Sequence, residues 1–238
     1  MRAVIIGASG GVGRALVDHL AARANIEAIH AFARQELDWA HSKVRSGQLD
    51  LLDEASIASA AASVADEGPP DLVFVATGIL SEGAELQPEK SFRKQDRAAF
   101  ERVFAINTIG PALIAKHFIP IMPRQNRAVF AALSARVGSI SDNRLGGWHA
   151  YRASKAALNM LIKNYAIEQS RRNEQFIAVS LHPGTVDTAL SKPFQGNVPD
   201  AQLFTPEKSA GAMLDVIDQL TPADSGNSFD WAGKPIPA

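Results

Sequence analysis

Seven short apolar runs, separated by longer segments of helical spacing, dictate most of what this chain can fold into. They are AVIIG (3–7), EAIHAFA (27–33), SGQLDL (46–51), DLVFVAT (71–77), RAVFAALS (127–134), QFIAVSLH (175–182) and NSFDWA (227–232). Helices are predicted between them at about 12–24, 54–65, 97–121, 149–171 and 206–219, with a short one near 36–43. Most runs are nearly continuous in Val, Ile, Phe and Ala, the pattern of strands covered on both faces. Strands alternating with helices imply an α/β fold, a doubly wound parallel sheet of about seven strands with helices on both faces. No repeat, low-complexity tract or linker divides the chain, so residues 1–238 read as one domain. The long irregular stretch at 188–204, TALSKPFQGNVPDAQLF, is expected to serve as a substrate lid.

Composition removes several classes of function. The chain has no cysteine, which excludes a disulfide scaffold, a thiol nucleophile and a thiolate metal site; no metal is expected. A net charge of −1 gives no reason to expect nucleic acid or an anionic membrane as partner. No apolar stretch approaches the roughly 20 residues of a membrane span. The N-terminal MRAVIIG stops at glycine too early for a signal peptide. The expectation is a soluble, cytoplasmic protein.

GASGGVG (7–13) follows the first strand and opens the first helix. A glycine turn there lets a pyrophosphate approach the main chain, and the helix N-terminus offers free N–H groups. Tight strand–helix turns use glycine for steric reasons too, so the context carries the dinucleotide reading. The spacing reads as Gly7-x-x-x-Gly11-x-Gly13 and equally as Gly7-x-x-Gly10-x-x-Gly13. Gly7, Ser9, Gly10, Gly11, Val12 and Gly13 are the candidate phosphate-binding residues.

HAYRASKAALN (149–159) places Tyr151 one helical turn before Lys155, on a shared helix face. Alone, that pair reads as a surface tyrosine with a lysine passing it. Together with the glycine turn, it resembles the short-chain dehydrogenase/reductase family, whose fold is Rossmann-like. Further pieces follow in the family's order. Asp50 and Leu51 in QLDLL stand after the third strand, where the family has an acid facing adenine. Ala76, Thr77 and Gly78 stand where it usually has Asn-Ala-Gly, and Asn107 in FAINTIGPAL matches its helix asparagine. Pro183, Gly184, Val186 and Thr188 in HPGTVDT match the segment over the nicotinamide. SARVGSISDNRLGGWHAYRASKAALN resembles the branch of C-factor-like proteins and sniffer-type carbonyl reductases. Epimerase-type relatives share the second glycine spacing, but only about 55 residues follow the Pro-Gly segment here.

The resemblance implies a catalytic tetrad of Tyr151, Lys155, Ser134 and Asn107. A free tyrosine has a pKa near 10, and a cation one turn away lowers it, so Tyr151 is the expected proton donor and Lys155 its tuner. Lys155 would also hold the ribose hydroxyls, and Asn107 would anchor a relay water. Ser134 ends the fifth strand, but the following glycine, Gly138, is four positions on and Tyr151 is 17 on. Ala135 holds the place that glycine spacing gives to serine, and Ser139 is the alternative, with Ser141 behind it. His149 reads as a helix-start residue. The second strand ends HAFAR: Arg34 without a neighbouring acid favours NADP(H), while Glu36 keeps NAD(H) possible. The expected activity is reduction of a small uncharged carbonyl compound, or oxidation of the alcohol, in a homodimer or homotetramer. Pocket walls are expected from Ile79, Leu80, Ser139 to Trp148 and the 188–204 loop. The rival reading is a dinucleotide-binding signalling protein with little turnover.

Overall fold

Along each central strand, alternate side chains leave on opposite faces of the sheet, and both faces are buried. In the computed structural model, which describes residues 1–238 apart from the side chains of Asn197 and Asp200, strand β1 is Arg2–Ile6. Its Ala3 and Ile5 join one core while Val4 and Ile6 join the other. The same split holds in β4 (Leu72–Val75), β5 (Ala128–Leu133) and β6 (Phe176–His182). That geometry explains the unbroken apolar runs, since every position on these strands is buried except Arg2, Leu133 and His182 at the strand ends.

The first core lies under α1 (Gly11–Ala21) and α6 (Pro206–Gln219), which contribute Leu16, Leu20, Met213 and Ile217. The second lies under α2 (Glu54–Glu67), α4 (Gly110–Phe118) and α5 (His149–Gln169), with Ile57, Ile114, Phe118, Leu158 and Ile162. With β2 (Ala28–Ala33), β3 (Val44–Gln48), β9 (Ser228–Asp230) and β10 (Pro235–Ile236), the sheet order is β10-β9-β6-β5-β4-β1-β2-β3. All pairings are parallel except β9 with β10. The chain reverses its winding between β1 and β4, so a crevice opens at their C-terminal ends.

The sheet has eight strands rather than seven, because the chain turns back after β9 and adds β10 on the edge. The third strand lies earlier than 46–51: as an edge strand with mixed burial, it carries too little apolar pattern to mark its ends. No helix forms at 36–43, where Leu37 and Trp39 pack onto the first core and Arg14 stacks over the Trp39 ring at 4.7 Å. The 188–204 stretch is less irregular than expected. It holds two short 3₁₀ turns, Lys192–Asn197 and Asp200–Gln202, then β8 (Leu203–Phe204), which pairs with β7 (Thr185–Val186).

Helix α3 (Arg97–Phe104) runs into a π-helical turn at Ala105–Ile109, then α4 and a 3₁₀ turn ending at Ile121. This 25-residue run is long and apolar enough to span a membrane by length and composition. In the fold it lies on the sheet, with Ile114 and Phe118 fully buried. The π turn has a local cause. Gly110 N–H bonds Ala105, five back, rather than Ile106, and the next residue, Pro111, has no N–H for the carbonyl of Asn107 and a ring that crowds it.

Candidate active site

The glycine turn sits at the mouth of the crevice. A methyl on Gly13 would lie 2.2 Å from the Gly7 carbonyl oxygen, so only glycine lets α1 start this close to β1. Gly7 has φ of 91°, and a methyl there would meet Thr77 Cγ2 at 2.7 Å. Gly10 caps α1 without a side-chain hydrogen bond, leaving the first-turn N–H groups to face the crevice. The buried Thr77 hydroxyl has no partner among the described residues. A bare helix N-terminus, a floor of glycine and an unpartnered hydroxyl fit a diphosphate-bearing dinucleotide. Thr188 closes this end: a methyl on Gly11 would stand 3.0 Å from its Cγ2.

At the end of β2, Ala33 is buried and Arg34 exposed, its carbonyl accepting from Gln48 Nε2 at 2.9 Å. Asp50 folds back to accept the Leu52 N–H at 2.9 Å, while Leu51 packs against Gly110. The sequence did not reveal a nearby brace. Glu82 accepts both nitrogens of the Arg102 fork, at 2.7 and 2.9 Å, and this guanidinium holds its carboxyl below the usual range.

Four predicted residues converge deeper in. A methyl on Gly78 would lie 3.4 Å from Lys155 Nζ and 3.5 Å from Asn107 Oδ1. Asn107 is fully buried, and its amide accepts from Ile79 N and donates to Ile79 O and Ser154 Oγ at 2.8–3.1 Å. It thus ties the end of β4 to α5. Lys155, 2% exposed, donates to the Leu133 carbonyl at 2.8 Å, and its amine lies 6.0 Å from the Tyr151 ring centre. Burial pushes the Tyr151 phenol up to about 12 and pulls the Lys155 amine down to about 7. The direction is opposite to the lowering expected of Tyr151: burial sets it, and the lysine's hydrogen bond goes to a backbone carbonyl.

The three candidate serines are engaged as follows. Ser134 donates to Asn159 Oδ1 at 2.8 Å, while Ser139 Oγ accepts the Asp142 N–H at 3.1 Å. Ser141 hydrogen-bonds the Ala238 carbonyl. Among the described residues, none of the three hydroxyls is hydrogen-bonded to Tyr151. His149 opens α5 as expected.

A buried carboxylate, Glu89, stands at the start of α5, and nothing in its local sequence marked it. It accepts the Ala150 N–H at 3.3 Å, and its carbonyl accepts the Trp148 N–H at 2.5 Å. On the far side, Gly184 turns the chain after β6, the Pro183 carbonyl accepts from Ser209 at 2.7 Å, and Val186 is buried in β7.

The chain is similar to known proteins of one family. The family model described as short chain dehydrogenase matches residues 1–198. The C-signal protein of Myxococcus xanthus is 39% identical over 142 residues, covering 60% of this chain and 80% of that protein. Among solved structures, the NADPH-bound carbonyl reductase from chicken fatty liver superposes with a TM-score of 0.85 at 28% identity, covering 100% of this chain and 94% of that one. The Sniffer carbonyl reductase of D. melanogaster also gives 0.85, at 22% identity and with 100% and 99% covered, and shows the fold alone.

Proposed function

Because the chain belongs to the short-chain dehydrogenase family and is an oxidoreductase, we propose that it interconverts a small uncharged carbonyl compound and its alcohol with NADP(H), with Tyr151 as proton donor. The observation that carries this reading is the burial of Tyr151 and Lys155 one turn apart, beside Gly78 and Asn107, in the crevice that begins at the glycine turn. A nicotinamide bound there supplies or accepts the hydride.

The chain's own residues do the rest. The first turn of α1 and Thr77 hold the diphosphate, Arg34 meets the 2′-phosphate, and Asp50 with Leu51 bounds the adenine. Pro183, Gly184, Val186 and Thr188 back the nicotinamide side. Tyr151, protonated at neutral pH, gives its proton to the carbonyl oxygen as the C=O bond is reduced. The phenolate left behind is stabilised by Lys155, which charges more readily beside an anion and a sugar hydroxyl than in the free pocket. Pro111 deprives the Asn107 carbonyl of its α-helical donor, which suits it to hold the water that returns a proton through Lys155. The outer faces of helices 97–121 and 149–169 expose Ile109, Met160 and Ile167, consistent with pairing into a homodimer or homotetramer through them.

The experiment is NADPH oxidation over a panel of aldehydes, ketones and quinones, with Tyr151→Phe beside the native protein. Loss of turnover by two to four orders of magnitude, with NADPH affinity kept, supports the reading. Native rates in the variant sink it. A second reading, a dinucleotide-binding signalling protein with little turnover, is favoured by the likeness to C-signal and by the engagement of Ser134 with Asn159. Tight NADPH binding with no oxidation across the panel would select it.

A further inference from the structure

Trp148 is the one non-glycine residue with positive φ among the described residues, at φ 50° and ψ 46°. That conformation is unusual for a bulky side chain, and such outliers persist where the surroundings over-determine them. Here the surroundings are plain. Gly146 and Gly147 precede it with φ of 63° and 66°, and the Trp148 N–H is held by the Glu89 carbonyl at 2.5 Å. The carboxylate of that same Glu89 accepts a first-turn helix N–H, that of Ala150. The indole is thereby fixed beside the proposed proton donor. Its ring centre is 6.3 Å from that of Tyr151 with the planes at 76°, an edge-to-face contact. On its other side it meets Phe194, from the 188–204 stretch, at 5.2 Å and 59°. Leu190, from the same stretch, reaches the Gly78 side, 4.0 Å from where a methyl there would be.

We infer that Trp148 and Phe194 form an aromatic wall that selects carbonyl substrates bearing an aryl group. The inference rests on the reading of Tyr151 as donor to the carbonyl, because a carbonyl presented to that phenol puts a substituent against the rings beside it. The two rings are tilted at 59° to each other beside the phenol, and an aryl ring stacked or set edge-to-face on them gains beyond its buried area. A saturated ring of the same size receives the burial without that gain. Glu89 is then a positioning residue, acting on the wall and on the start of α5 from outside the pocket.

The test needs no turnover. Calorimetric titration of the protein, with and without NADP⁺, compares acetophenone with cyclohexyl methyl ketone, neither of which oxidised cofactor can reduce. The native protein should bind acetophenone about tenfold more tightly, the size expected of aromatic contacts. Trp148→Leu and Phe194→Leu should each remove most of that preference and leave the saturated ketone within about twofold. Trp148→Phe should restore it in part. Phe194 is half-buried in a surface turn, so its variant keeps the test available if changing Trp148 harms folding. Equal binding of the two ketones by the native protein, no binding of either, or a parallel loss of both in the variants overturns the wall. Failure of the NADPH oxidation panel with the aryl preference intact would instead sink the carbonyl-reducing reading alone.

Discussion

The amine of Lys155 donates to the carbonyl oxygen of Leu133 at 2.8 Å and stands 6.0 Å from the ring centre of Tyr151. The lysine is thus held by the end of β5, within reach of the phenol but bonded elsewhere. Both groups are buried, which raises one acidity constant and lowers the other.

The lysine shift makes stability depend on pH. Lys155 titrates near 7 when folded against an ordinary 10.5, so between those values the unfolded chain holds a proton that the folded chain lacks. Stability should therefore climb as pH rises from 7, by at most about 1.4 kcal/mol per unit. Above pH 10 the raised Tyr151 works the other way, because the unfolded phenol loses its proton first. Urea unfolding from pH 7 to 10 should show the climb in the native protein and a flatter line in Lys155→Met. Parallel lines would mean that Lys155 keeps its proton in the fold.

Cofactor choice should lie with Arg34. Its exposed guanidinium follows β2, next to the buried Ala33, with Glu36 two residues on and Glu82 near enough to feel its charge. Arg34→Ala should weaken NADPH by about 10- to 100-fold, the range of one charge-assisted contact, and NADH by little. Fluorescence titration with both cofactors decides this, and equal loss for the two removes Arg34 from the phosphate.

Ser134 gives a prediction with two separable readouts. Its hydrogen bond to Asn159 implies that Ser134→Ala costs about 1 kcal/mol of stability. Turnover should stay within about tenfold, since the hydroxyl is engaged away from the phenol. A thousandfold loss of turnover with an unchanged melting temperature would put Ser134 on the substrate carbonyl.

The 188–204 stretch is expected to move as a cover. It touches the site through Phe194 on Trp148 and Leu190 beside Gly78. Chymotrypsin should cut the free protein at Phe194, and NADP⁺ with acetophenone should slow that cut severalfold. Equal cutting with and without them would leave the stretch as fixed packing.

Much of this was legible in sequence because the central strands are buried on both faces and the Tyr151–Lys155 spacing survives any detail of packing. The glycine turn was legible for a similar reason: Gly13 is dictated by backbone approach alone. What stayed hidden depends on partners far along the chain. Glu89 meets Ala150 across 61 residues and Glu82 meets Arg102 across 20, and nothing local announces either. The direction of Ser134 was unreadable because Asn159, 25 residues on, decides it. The helix expected at 36–43 does not form: Leu37 and Trp39 there are two residues apart, off any common helix face, and pack singly onto the first core. The third strand was misplaced because an edge strand need not be apolar.

The π turn at Ala105–Ile109 makes chain length itself a constrained quantity. Such a turn amounts to one surplus residue in an otherwise regular helix. Deleting one residue there would let the helix close into α geometry with α3 and α4 kept nearly in phase, so the residues of the turn itself, Asn107 among them, would change the direction they face. Asn107 would swing away from Ile79 and Ser154, and the link between the end of β4 and the helix bearing Tyr151 would part. Many substitutions along this segment touch only one bond, whereas a single-residue gap would change them all together.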